Sequence, residues 1–227
     1  MIRIKKESIN REVVILSAEW GLFSIDIRIL NIMELNFKHQ GTIVKGAHAN
    51  TYSGLFEENN ITIKCIPVRS ECTRHAAIKE WFLLKIASAA DIGPKISSLF
   101  GFDILMFEGC IEFAMETCCP IESSDFNSDL FFWNLAIMHK LKIAHRDIKP
   151  HNLMLSPSFK KPVFIDFGLS TFIREEVGTK TLTNFVGSFN FASDEMAKSF
   201  WKKTKTNIDL FYNDLESLQN SVTSFQR

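Results

Sequence analysis

Apolar and polar residues alternate only loosely over residues 1 to about 35, and no motif stands out there. From Phe37 the pattern sharpens. "KHQGTIVKG" and "TYSGLFE" read as strands joined by the loop "KGAHAN", and the polar turn "EENN" (Glu57 to Asn60) leads into the β-branched strand "ITIKCIP". A three-strand antiparallel meander is predicted. Over "RHAAIKEWFLLKIASAA" (Arg74 to Ala90) the apolar residues recur at helical spacing, and "DIGP" ends the run. "GCIEFAME" (Gly109 to Glu116) is a further apolar strand, and "DLFFWNLAIMHKLKI" (Asp129 to Ile143) is a buried helix. Short strands follow around Leu153 and in "PVFIDFG". The layout is α+β: a strand-rich first half with one helix, then a helical half.

Composition narrows the class. The chain has 227 residues, enough for one sizeable core or two small lobes, and 46% of them are hydrophobic, which suits a globular protein. The 21 phenylalanines are scattered and read as core. Lysine plus arginine and aspartate plus glutamate number 26 each, so zero net charge gives no footprint for nucleic acid or an acidic membrane. No run of about 18 apolar residues could span a bilayer. Charges interrupt the start "MIRIKKESINREVVIL", which does not read as a signal peptide. An intracellular protein, cytoplasmic or nuclear, is the expectation. The five cysteines are odd in number and lack C-x-x-C spacing, and adjacent Cys118 and Cys119 cannot form a strain-free bridge. They read as reduced thiols and not as metal ligands.

The chemistry concentrates in "HRDIKPHN", where Asp147 and Asn152 stand five residues apart with Lys149 between them. "DFG", Asp166 to Gly168, begins fourteen residues after Asn152. Phosphoryl transfer needs positioned charge more than covalent help. A carboxylate can accept the proton of an attacking hydroxyl, and a lysine can neutralise a phosphate. An amide oxygen and a second carboxylate can hold Mg²⁺.

These two motifs, in this order and each beside an apolar strand, resemble a eukaryotic-type protein kinase of the serine/threonine type. The resemblance runs from about Phe37 to Leu218 and implies a two-lobed fold, with a small antiparallel sheet and one helix before a mainly helical lobe. It implies an N-terminal extension over 1–35 and a kinase domain over 36–227, divided near 117. Asp147 would be the catalytic base, Lys149 the phosphate-contacting lysine, and Asn152 and Asp166 the metal ligands. Arg146 would face a phosphorylated or acidic group, while His145 and Phe167 would sit in a hydrophobic stack. "ITIKC" resembles the strand that carries the phosphate-gripping lysine, here Lys64. Its ion-pair partner would be Glu71 or Glu80, with Glu80 preferred because Leu83 and Leu84 face inward beside it. Met115 would back the adenine pocket, Glu116 to Cys118 would form the hinge, and Gly46 and Met154 complete the nucleotide-binding set. ATP with Mg²⁺ or Mn²⁺ and a protein substrate are implied. The spacing from Glu80 to "IGP", "GSFNFAS" and "NDLESL" is similar to that of the casein-kinase-one and vaccinia-related group, where Asp214 would brace the catalytic loop.

Two departures qualify the resemblance. In "VKGAHANT" only Gly46 survives of the glycine-rich loop, and Val44 and Ala49 replace glycines that would let backbone approach phosphates. "SDE" (Ser193 to Glu195) stands in place of A-P-E, and the last helices of the family fold are missing. A shortened second lobe is therefore expected, with an apolar face that a protein partner, or packing by residues 1–35, would cover. The alternative to an active kinase is a catalytically weak or inactive binding module. A third reading, a small-molecule phosphotransferase, is disfavoured by "DFG" and by the Lys149-Pro150 context.

Overall fold

Helix α1 (Glu71–Ala89) starts three residues before the predicted Arg74. The reason is local. Ser70 Oγ accepts the Thr73 N–H at 3.2 Å while Thr73 Oγ1 accepts the Ser70 N–H at 3.0 Å. This reciprocal cap has threonine in the place usually held by glutamate or glutamine. Glu71 thereby enters the first helical turn, where its carboxylate lies 3.6 Å from both Arg74 Nε and His75 Nε2.

The computed structural model describes residues 13–17, 24–28, 38–39, 44–45, 49–56, 59–95, 105–107, 109–122, 126–173, 179–182, 186–202 and 206–225. They belong to two compact units. The first takes in residues 1–78 and 97–114, the second residues 79–96 and 115–227, so the boundary runs through α1.

In the first unit, β1 (Val13–Ser17) and β2 (Ser24–Arg28) pair antiparallel. A six-stranded sheet contains β3 (Lys38–His39), β4 (Val44–Lys45), β5 (Asn50–Phe56), β6 (Asn59–Pro67), β7 (Leu105–Phe107) and β8 (Cys110–Glu116). Its order is β3-β5-β6-β8-β7, with β4 also on β5. The predicted meander, β3 and β4 with β5 and β6, forms one side of it. Of "KHQGTIVKG", Lys38–His39 and Val44–Lys45 are described, and both pair with β5. Val44 pairs with Thr51 and Lys45 with Asn50, so two positions of the degenerate glycine loop, Val44 and Thr51, sit in a ladder. A β-branched residue suits that backbone where glycine would not. Along β6, Ile61, Ile63 and Cys65 are buried while Thr62 and Lys64 are partly exposed, the alternation of a strand with one core face.

In the second unit, β9 (Cys119–Pro120), β11 (Leu153–Ser156) and β12 (Lys161–Phe164) form one small antiparallel sheet. β10 (Ile143–Ala144) pairs with β13 (Thr171–Phe172), and β14 (Thr179–Leu182) with β15 (Thr206–Asp209). Three helices complete it: α2 (Ser128–Lys140), α3 (Asp194–Lys202) and α4 (Leu210–Phe225). Asn127 caps α2 by accepting the Leu130 N–H at 3.3 Å. On α4, Leu210, Asn213, Asp214, Ser217, Leu218 and Ser221 are buried. That is one continuous stripe at helical spacing. The opposite side leaves Tyr212 and Leu215 exposed. Phe225 stacks on Phe126 at 4.4 Å, Phe126 on Phe131 at 5.6 Å, and Phe131 meets Phe164 edge-on at 5.6 Å. An aromatic chain thus links the end of α4 to the sheet formed by β11 and β12.

Glu116 anchors this unit internally. Its carboxylate is buried and accepts from the Lys95 N–H at 2.7 Å, Ser156 Oγ at 2.5 Å and the Ser158 N–H at 3.0 Å. Burial works to raise its pKa, but the hydrogen bonds prevail and hold it below the ordinary 4.5. A depressed carboxyl stabilises the fold fully above pH 4.5 and loses that contribution as the pH falls below it. Glu116→Gln should cost about 2 kcal/mol at neutral pH, on the scale of hydrogen bonds to a charged group. Denaturant melts at pH 7 and below pH 4 check this: the gap between wild type and variant should close in acid.

Candidate active site

The loop between β10 and β11 is shaped by a carboxylate it does not contain. Asp214, fully buried on α4, accepts the His145 N–H at 2.6 Å through Oδ2 and the Arg146 N–H at 2.8 Å through Oδ1. His139 Nε2 stands 3.4 Å from the same Oδ2. Arg146 lies at φ 71°, a conformation a residue with a side chain seldom adopts. The two hydrogen bonds hold the chain through that turn. Its guanidinium donates to the Leu169 carbonyl at 3.4 Å through Nη1, while its Nε has no hydrogen-bond partner among the described residues.

His145 is a buried neutral imidazole. Burial pushes its pKa below the ordinary 6.5, against the pull of Asp214 and other nearby carboxylates. Nδ1 accepts the Asp147 N–H at 3.3 Å, so the proton sits on Nε2, which donates to the Ile165 carbonyl at 3.1 Å. The ring lies 5.0 Å from Phe167 and 5.8 Å from Phe164.

With the turn fixed, Asp147 presents a nearly buried carboxylate to three donors. Oδ1 accepts Ser188 Oγ at 2.7 Å. Oδ2 accepts Lys149 Nζ at 2.7 Å and Asn152 Nδ2 at 3.2 Å. Lys149 Nζ also reaches Ser188 Oγ at 3.1 Å. Pro150 starts a tight turn through Asn152, closed by the Asn152 N–H on the Lys149 carbonyl at 2.8 Å. Asn152 Nδ2 also donates to the Asp147 carbonyl at 2.9 Å. Both bonds use the amide nitrogen, which fixes the flip of the side chain and directs its oxygen to other duty.

Asp166 follows β12, and the Ile165 N–H donates to the Asn152 carbonyl at 3.0 Å, tying the two motifs together. Its backbone is left-handed, φ 63° and ψ 74°, and its side chain is exposed while Phe167 beside it is buried. Glu80 is buried on α1. A Cβ on Gly168 would stand 3.2 Å from Glu80 Oε2 and 3.3 Å from Asp166 Oδ1, so glycine lets both carboxylates approach one stretch of backbone.

Residues 131–212 match the protein kinase domain family. The matched span contains the loop between β10 and β11, Asp166, Ser188 and the start of α4. The chain is similar to Serine/threonine-protein kinase C of Synechocystis sp., 25% identical over 170 residues, covering 66% of this chain and 31% of that protein. Serine/threonine-protein kinase D of the same organism is 35% identical over 94 residues, 39% of this chain and 18% of that one. Serine/threonine-protein kinase PknA of Nostoc sp. is 49% identical over 45 residues, 20% and 7% respectively. The chain therefore spans a third or less of the curated relatives it matches.

Asp147, Lys149 and Asn152 stand within hydrogen-bond reach of one another, and Asp166 joins them through Ile165. Lys64 lies in the other unit, partly exposed on β6, and Glu71 is exposed and turned to Arg74 and His75. Gly46 falls outside the described residues. Met115 is buried, Met154 and Cys118 are partly so, and burial raises the Cys118 thiol. The Glu116 side chain is committed to the fold, and its N–H donates to the Lys95 carbonyl at 3.0 Å. Any ligand contact by Glu116 falls to its carbonyl.

Two contributors went unassigned from sequence. Ser188 holds the other half of the Asp147 carboxylate. Gly187, at φ 117°, sits so close to the Arg146 carbonyl oxygen that a Cβ has no room. Their stretch "GSFNFAS" stood out in the sequence, but nothing in it said that a loop forty residues on returns to Asp147.

Asp214→Asn turns one acceptor into a donor that faces a backbone N–H. A loss of about 2 kcal/mol or more is expected. Hydrogen exchange should show the amides of His145 and Arg146 losing protection before those of α2; equal loss everywhere would count against a local clamp.

Proposed function

We propose that this chain is a serine/threonine protein kinase domain that transfers the γ-phosphate of Mg-ATP to a protein hydroxyl. The observation that carries the reading is the Asp147 carboxylate, oriented at both oxygens by Ser188, Lys149 and Asn152. Asp147 is the base that accepts the proton of the attacking hydroxyl. Lys149 supplies positive charge beside it, and Ser188 fixes its plane. Such positioning is the larger part of what phosphoryl transfer asks of a protein.

The donor set fits a hard divalent cation. Asn152 has its nitrogen engaged, leaving the amide oxygen, and Asp166 exposes a carboxylate on a constrained backbone. Oxygen donors of this kind suit Mg²⁺ or Mn²⁺. When bound, the ion with its nucleotide supplies the transferable phosphoryl group and neutralises its charge. Lys64 is the residue assigned to the α- and β-phosphates, with Glu80 as its carboxylate partner. Met115, Met154, the Glu116 carbonyl and Cys118 are assigned to the adenine side. Gly46 is assigned to the phosphate loop. Arg146, with its Nε unpartnered, is assigned to an acidic or phosphorylated group of the segment after Asp166. The pattern of "IGP", "GSFNFAS" and "NDLESL" supports a place near the casein-kinase-one and vaccinia-related group. We also assign to a protein partner the exposed side of α4 with Tyr212 and Leu215.

A binding-module reading draws on one observation, the laddered pairing of Val44 with Thr51 where a glycine-rich loop would be open. A phosphate-transfer assay with labelled ATP on purified protein separates the two. Asp147→Asn and Asp166→Asn should each lower transfer at least about 100-fold, the scale of losing a positioned base or a metal ligand. Ser188→Ala should lower the rate by about 10-fold while nucleotide still binds. Wild-type signal equal to both aspartate variants, with Mg-ATP still bound, would establish the binding module instead. Label appearing only in a small metabolite would point to the third reading.

A further inference from the structure

We infer that Cys65, Cys110 and Glu112 form a metal site for a borderline-soft divalent cation of the zinc type. The site lies within the first unit and is independent of the proposed kinase activity. Cys65 is buried on β6; Cys110 and Glu112 are partly exposed on β8, the next strand of the sheet. Cys110 and Glu112 are two residues apart and so share a face of β8, while Ile111 and Phe113 between and after them are buried. The two thiol sulfurs and a carboxylate oxygen all lie within 4.8 Å of one another. Donors around one tetrahedral zinc stand about 3.5–3.8 Å apart, given bonds near 2.3 Å to sulfur and 2.0–2.2 Å to oxygen. Small side-chain rotations close that difference.

A divalent ion would take two thiolates and a carboxylate as ligands, releasing the two thiol protons to solvent. Two sulfurs and one oxygen select zinc over magnesium or calcium, and water fills the fourth position. Cys65 follows Lys64 directly, and strand alternation puts the two side chains on opposite faces. The ion would therefore pin β6 to β8 without occupying the face of Lys64.

The test uses the full chain, reduced and stripped with a chelator. Zn²⁺ is titrated against a chromophoric competitor, Cd²⁺ is added to read thiolate-to-metal charge transfer in the ultraviolet, and the melting temperature is followed with and without Zn²⁺. One equivalent of Zn²⁺, a charge-transfer band and a raised melting temperature are expected. Cys110→Ser, at a partly exposed position where folding should survive, should abolish the band and the thermal shift. Glu112→Gln should weaken binding about 10-fold or more, and Cys72→Ser, at an exposed position of α1, should change nothing. Two results would overturn the site: Zn²⁺ binding unaltered by Cys110→Ser, or a Cys65–Cys110 disulfide, found by mass spectrometry of protein kept under reducing agent, in place of bound metal.

Discussion

A single buried carboxylate sets the geometry on which the rest depends. Asp214 gathers two consecutive backbone N–H groups of the loop between β10 and β11, and an isolated charge in that position would be too costly to keep. Held by those hydrogen bonds, the chain turns through a left-handed Arg146 and delivers Asp147 to its three donors. The same turn leaves the Arg146 carbonyl facing Gly187, where only a glycine fits. One anchor on α4 thereby positions two segments that are far apart in sequence.

A second carboxylate does similar work nearby. Glu116 joins the segment before α2 to the loop after β11 through Lys95, Ser156 and Ser158. Both anchors share a design: a buried carboxylate that accepts hydrogen bonds from backbone N–H groups of segments distant in sequence. Hydrogen bonds from fixed dipoles are directional, so they specify a loop's path where a flexible ion pair would only hold it near. The structure thus uses charge to define backbone shape, leaving Lys149 for the site.

Much of this was legible in the sequence. "HRDIKPHN" and "DFG" lie within the span that matches the protein kinase domain family, and their spacing fits the hydrogen bonds that join Asp147, Lys149 and Asn152. α2 and β6 were legible because their burial follows a single period. What escaped reading was whatever depends on distant pairing. β7, β9, β10 and the β14–β15 ladder are too short to carry a pattern of their own. The start of α1 was misplaced because threonine stood in for the usual capping carboxylate. Ser188 and the Cys65–Cys110–Glu112 cluster share a reason: their partners lie some forty residues away, or on a neighbouring strand, and only the fold brings them together. The cysteines lacked C-x-x-C spacing because an adjacent strand, not an adjacent turn, supplies the second sulfur.

The Ser188 hydroxyl has a consequence of its own. It donates to Asp147 Oδ1 at 2.7 Å while accepting from Lys149 Nζ at 3.1 Å, as an alcohol approaching the same carboxylate and the same lysine would. Under the proposed kinase reading, a substrate hydroxyl would share or take over the place of Ser188 at that oxygen, one alcohol exchanging for another, so that the Asp147 carboxylate keeps a hydrogen-bond donor throughout.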